Sequence, residues 1–207
     1  MRTRLRFGFA MLAAVLSAAG VKANYLAFEA PNSFSPSTGP AGDPVNLGLF
    51  FTVSSSITID ALGFYQIPNL TSGETLTLYT STGTTLTSVN VPLNATLDAG
   101  YLMQSITPIT IGPGEYVISA FTGNNPWEYF TSISSGAGIT FVQENYEYNA
   151  TPAFPSGGVA NPAGVYFGPT FDVSTTQTST PEPGAWMMVV SGLSLLGAAK
   201  CRRTRRA

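Results

Sequence analysis

Glu144 and Glu147, in the stretch ENYEYN (144–149), are two carboxylates three residues apart. A pair of carboxylic acids can cleave a glycosidic bond as acid and base without any histidine. No spacing rule ties either glutamate to a partner, and the plainer reading is a solvated loop. A second candidate is GNNPWEYF (123–130). There Trp127 and Tyr129 offer flat apolar faces, and Asn124 and Asn125 offer amide groups, a mixture that suits a carbohydrate-binding site. The competing reading has Trp127 or Phe130 plugging the end of a β-sandwich, since large aromatic side chains are usually mostly buried. Asp43, Asp60 and Asp98 could join backbone carbonyls around calcium. No Asp-x-Asp loop is present, so no metal site is expected. The sequons at Asn69, Asn94 and Asn149 are of a kind common by chance.

Charge narrows the chemistry further. All nine Lys and Arg lie near the two ends: Arg2, Arg4, Arg6 and Lys22 at one, Lys200, Arg202, Arg203, Arg205 and Arg206 at the other. Residues 24–180 contain no Lys, Arg or His against ten of the eleven acids, a formal charge of −10. Nucleic-acid binding needs cations that displace counterions from phosphate, and this body has none. An anionic lipid surface would repel it. Phosphoryl transfer lacks its basic clamp. Histidine-based triads and Cys/His zinc sites are excluded with the histidines. Cys201, the single cysteine, lies in the tail, so the body holds no disulfide. No catalytic residue and no cofactor are expected, and the protein reads as a non-enzyme.

The elements that would carry these residues are strands. Residues 24–180 are enough for one domain with a core. Residues 31–44 (PNSFSPSTGPAGDP) hold four prolines and no periodicity, and 24–44 reads as a loop or extended arm. From Val45 onward, short runs rich in β-branched and aromatic residues are punctuated by Gly, Pro or Asn. In SITIDALGFY, Ile57, Ile59 and Ala61 alternate with polar neighbours; in ETLTLYT, Leu76 and Leu78 alternate with threonines. Ser81-Thr82-Gly83 is a hairpin signal. Gly112-Pro113-Gly114 precedes the clearest strand, EYVISAFT (115–122). No helical period appears. The expectation is an all-β fold, an antiparallel sandwich or jelly roll over 45–173, followed by a Ser/Thr linker at 174–180.

Both ends read as addresses. Three arginines, an apolar stretch from Phe7 to Ala19, and small residues at Val21 and Ala23 form a secretory signal peptide over 1–23, cut before Asn24. At the other end, Gly184 to Ala199 is an apolar run that as a helix reaches roughly 24 Å, slightly short of a bilayer core of about 30 Å. Lys200, Arg202, Arg203, Arg205 and Arg206 would halt export on the cytoplasmic side. Pro181 and Pro183 hold Glu182 in an extended tripeptide outside the membrane.

This order of Pro181-Glu182-Pro183, short apolar helix and Arg-rich end (181–207) resembles the PEP-CTERM sorting signal. The resemblance implies a Gram-negative exporter and processing by a membrane protease of the exosortase type. It further implies a transient stay in the inner membrane, then a place at the cell surface or in an extracellular polysaccharide matrix. More loosely, LGFY, LTLYTSTGTTLTSVNV and ITIGPGEYVISAFT resemble a β-sandwich type of other exported proteins with this tail. These are structural marks and transfer no catalytic residue.

Overall fold

A computed structural model describes residues 22–30, 37–38, 43–130, 132–159 and 165–176. Residues 1–21 of the expected leader with Val21, 177–180 of the expected linker, and the tail from Pro181 to Arg206 lie outside the described residues, as do a helix expected of the signal peptide and the helix expected of the tail; Lys22 and Ala23 of the expected leader and Ser174 to Thr176 of the expected linker are instead strand residues. The rest forms one compact unit, Lys22–Thr175.

The unit is all-β, and no helix occurs among the described residues. In chain order the strands are β1 (Lys22–Leu26), β2 (Phe28–Glu29), β3 (Ser37–Thr38), β4 (Val45–Val53), β5 (Ile57–Tyr65), β6 (Glu74–Thr80), β7 (Thr85–Val91) and β8 (Thr96–Asp98). They continue as β9 (Tyr101–Ile111), β10 (Gly114–Phe121), β11 (Glu128–Phe130), β12 (Ser134–Ser135), β13 (Ile139–Tyr148), β14 (Gly157–Val159), β15 (Val165–Phe167) and β16 (Pro169–Thr176). One sheet runs β1, β16, β5, β9, β8; the other runs β14, β13, β4, β10, β6, β7. They pack as an antiparallel sandwich. β15, β11 and β3 form a separate three-stranded sheet, and β12 and β2 a two-stranded one.

The alternation seen in the sequence explains most of the core. Leu47, Leu49, Phe51 and Val53 on β4, Leu76 and Leu78 on β6, and Ile118 and Ala120 on β10 are all buried. On β5 the pattern changes parity: Ile57 and Ile59 are buried before Asp60, Leu62 and Phe64 after it. The ladders to β9 and β16 both skip between Ile59 and Ala61. Against β16, Asp60 is one extra residue, while against β9 the excess lies on β9, where residues 106–108 stand opposite Asp60 alone; through this bulge the inward face of β5 passes from odd to even positions. Opposite it, β9 carries Pro108 in the stretch that the register jumps, where a missing amide hydrogen costs no ladder bond.

Gly83 closes the β6–β7 hairpin with φ +87°, a conformation that glycine adopts at no steric cost. Gly112-Pro113-Gly114 does something else. It carries the chain from β9 in one sheet to β10 in the other, and the Tyr116 hydroxyl donates to Gly112 O at 3.0 Å to hold that corner.

The segment expected as an arm, residues 24–44, is in part structural. Residues 22–29 form β1 and β2, and Ala27 and Phe28 are fully buried. Ala27 N donates to Phe171 O. Phe28 N donates to Thr170 Oγ1, which in turn donates to Phe28 O. Three rings meet there: Phe28 lies 5.5 Å from Phe51 and 6.0 Å from Phe171, and Phe51 lies 5.3 Å from Phe171. These rings join the N-terminal segment to both sheets.

The outer face of the six-stranded sheet is covered by the chain that follows β13. Phe154 packs edge-on to Tyr79 at 5.3 Å. Asn145 Nδ2 donates to Pro155 O, Asn46 Nδ2 to Thr151 O, and Asn46 Oδ1 accepts from Ala153 N. This strap leaves the region between Tyr148 and Ser156 well anchored.

Candidate functional site

The loop 123–127 leaves β10 at one end of the sandwich. Asn125 is wholly buried. Its Oδ1 accepts from Thr71 N at 3.0 Å and Ser72 N at 3.2 Å, with both hydroxyls nearby, and its Nδ2 donates to Ser72 O at 2.9 Å and to Glu74 Oε1 at 3.3 Å. The amide therefore acts as an internal fastener between this loop and the entry to β6. No atom of it is left for a sugar. Asn124 is exposed and Trp127 is half-buried. Tyr129 is placed by its backbone in β11, opposite Tyr166 and Ser37. Of the residues expected to bind carbohydrate together, Asn124 is thus at the surface and Asn125 in the interior.

Trp127 instead shares a cavity with Glu74, lined also by Leu47, Phe64, Ile67 and Pro126. Its free space is about 10 Å³, enough for about one water molecule and far short of a sugar ring. Glu74 is 5% exposed. Burial pushes its carboxyl up to about 8, against a smaller downward pull from the Asn125 amide. Taking charge out of water is costly unless a counter-charge is supplied. The sequence offers no such cation anywhere in residues 24–180. Glu74 was missed by sequence reasoning because an acid at the start of a strand reads as a solvated end. Only the packing of residues 122–127 over it reveals its state.

Replacing Asn125 with alanine leaves the amides of Thr71 and Ser72 and the Glu74 carboxyl without their partner. The expected loss is about 2–4 kcal/mol of unfolding free energy, read from urea titrations. A loss below about 0.5 kcal/mol would show that water replaces the amide freely.

The two glutamates of ENYEYN are on β13, not in a loop, which corrects the sequence expectation. Between them the register to β4 runs without a shift, from Glu144 opposite Leu49 to Glu147 opposite Asn46. Side chains alternate along a strand, so residues three apart point to opposite faces. Glu144 is buried, while Glu147 accepts from Ser156 Oγ at 2.7 Å. They do not face one substrate.

Asp43 and Asp98 are exposed. Among the described residues no group of three metal-ligating side chains converges. Burial raises the Asp172 carboxyl, the Asn24 amide opposes this through a 2.8 Å hydrogen bond, and Asp60 and Asp98 raise it further.

Tyr148 has the exposure expected of Trp127. It is 64% exposed, and it is the one aromatic in the exposed class among the described residues whose side chains are placed. Its ring stands edge-on to Tyr146 at 5.8 Å. The open groove beside it is lined by Asp43, Pro44, Tyr148, Asn149 and Ala150.

No curated protein and no solved structure matches the chain. A family model described as a domain of unknown function, DUF4082, matches residues 30–179. That stretch takes in most of the sandwich, including β4 to β16, the Glu74–Asn125 fastener and the Tyr148 groove, and the chain belongs to the DUF4082 family.

Proposed function

We propose that this is an exported, non-enzymatic protein of the cell surface or extracellular polysaccharide matrix, delivered by a Sec-type signal and processed by an exosortase-type protease at its PEP-CTERM tail. The observation that carries this reading is the distribution of charge relative to the folded unit. The compact unit Lys22–Thr175 has no basic residue after its first position. The cations are gathered in the flanks, where export and membrane arrest use them. Asn24, the expected first residue of the mature chain, is already tied to Asp172, and the residues after it enter the core. A cut before Asn24 would remove Lys22 and Ala23, the first two residues of β1, and leave the rest of the sandwich in place.

The non-enzymatic part of the reading is supported by the separation of Glu144 from Glu147 and by the confinement of Glu74 in a cavity without room for a substrate. The alternative, a carbohydrate-binding module built on Trp127, loses support from the internal use of Asn125.

Intact-mass measurement of the secreted or surface fraction tests the processing. The expected dominant species begins at Asn24 and ends at or near Pro181-Glu182-Pro183. A dominant species that retains Trp186 to Lys200 would make the tail a permanent anchor and end the sorting proposal.

A further inference from the structure

We infer that the groove beside Tyr148 binds a neutral hexopyranose polymer, with the Tyr148 ring as platform and Asp43 and Asn149 as its polar contacts. The inference rests on the reading that the protein meets polysaccharide, and it moves the contact away from the Trp127 loop.

Exposure sets this ring apart. A tyrosine ring has much apolar surface, and 64% of this residue faces solvent, although the other aromatic side chains placed among the described residues are buried or half-buried. The ring is also braced. Tyr146 meets it edge-on at 5.8 Å and 72°, and the strap that follows is pinned by Asn46 to Thr151 O and Ala153 N. A platform held in place before binding loses little freedom on binding. Tyrosine suits this task because it offers a rigid amphipathic face with few rotatable bonds.

The polar groups beside the ring fit such a ligand. A pyranose ring presents an apolar C–H face and a rim of hydroxyls that both donate and accept. Asn149 Oδ1 is occupied by Thr151 N at 3.3 Å and Thr151 Oγ1 at 3.4 Å. This leaves the Asn149 amide hydrogens as donors to the rim. Asp43, exposed on the same groove, is an acceptor. Pro44 adds a second apolar wall. The depression is shallow and open to solvent, and so accessible to an internal unit of a polymer.

Charge selects the class. With −10 on residues 24–180 and Asp43 in the groove, a uronate or sulfated chain would be repelled, and no cation is present to bind it. A neutral polymer has no such barrier.

The test is affinity gel electrophoresis of the secreted protein in gels containing dextran, hydroxyethyl cellulose, galactomannan or alginate. Retardation by at least one of the three neutral polymers is expected, with none from alginate. Tyr148→Ala should reduce that apparent affinity at least tenfold, and Tyr148→Phe should retain most of it. Thermal melting of both variants should match the parent. Absence of retardation by all three neutral polymers overturns the proposal, as does full retention by Tyr148→Ala. Loss on Trp127→Phe with retention by Tyr148→Ala would return the site to the Trp127 loop. The mass of the same sample reports processing independently, so failure of binding and failure of sorting are separately visible.

Discussion

Glu74→Gln is expected to stabilise the protein at pH 8 and to remove much of its pH dependence between about pH 4.5 and 8. The folded carboxyl titrates near 8, and its ordinary value is 4.5. Between those values the folded chain holds a proton that the unfolded chain releases. Stability from this residue is therefore fully present below pH 4.5 and declines as pH rises, until it is lost above about pH 8. The shift corresponds to roughly 3–5 kcal/mol across the window, a large share of a typical domain's 5–15 kcal/mol. Glutamine is neutral throughout and can still accept from Asn125. Urea unfolding at pH 5, 6.5 and 8, followed by circular dichroism, measures the effect. If the parent and the variant lose stability in parallel as pH rises, Glu74 is not the titrating group.

Phe51→Ala should cost about 3–5 kcal/mol, as expected for removing a large buried aromatic side chain. Phe51 is fully buried, with Phe28 on one side and Phe171 on another. Its loss leaves a cavity where β2, β4 and β16 meet, so collapse on one side would open another. For a domain of this size the melting temperature should fall by about 10 °C or more. Phe51→Leu, which keeps most of the volume, should cost less than half as much. A change below about 1 kcal/mol for Phe51→Ala would mean that the three rings are not the junction between the sheets and the N-terminal segment.

The information legible in the chain alone is local. Alternation in ITID and TLTL, and the glycine at position 83, specify strands and a hairpin because backbone preference and side-chain parity act over a few residues. The same reasoning foresaw an antiparallel sandwich, and it excluded whole classes of chemistry through the missing Lys, Arg and His of residues 24–180. Other features depended on which distant segment covers which. Asn125 reads like a loop amide until it is seen 51 residues away on Glu74, and Glu74 reads like a solvated acid until that loop closes over it. ENYEYN looks polar enough for a loop, yet its pairing with β4 makes it a strand and turns its glutamates apart. Residues 24–30 show no strong strand period, but β16 recruits them through Phe171 and Thr170. Trp127 and Tyr148 differ little as local sequence, and only tertiary packing half-buries the first and exposes the second. The physical reason is common to all of these. Periodicity reports the short-range conformation of the chain, while burial, charge state and exposure are set by long-range contacts that no local window contains.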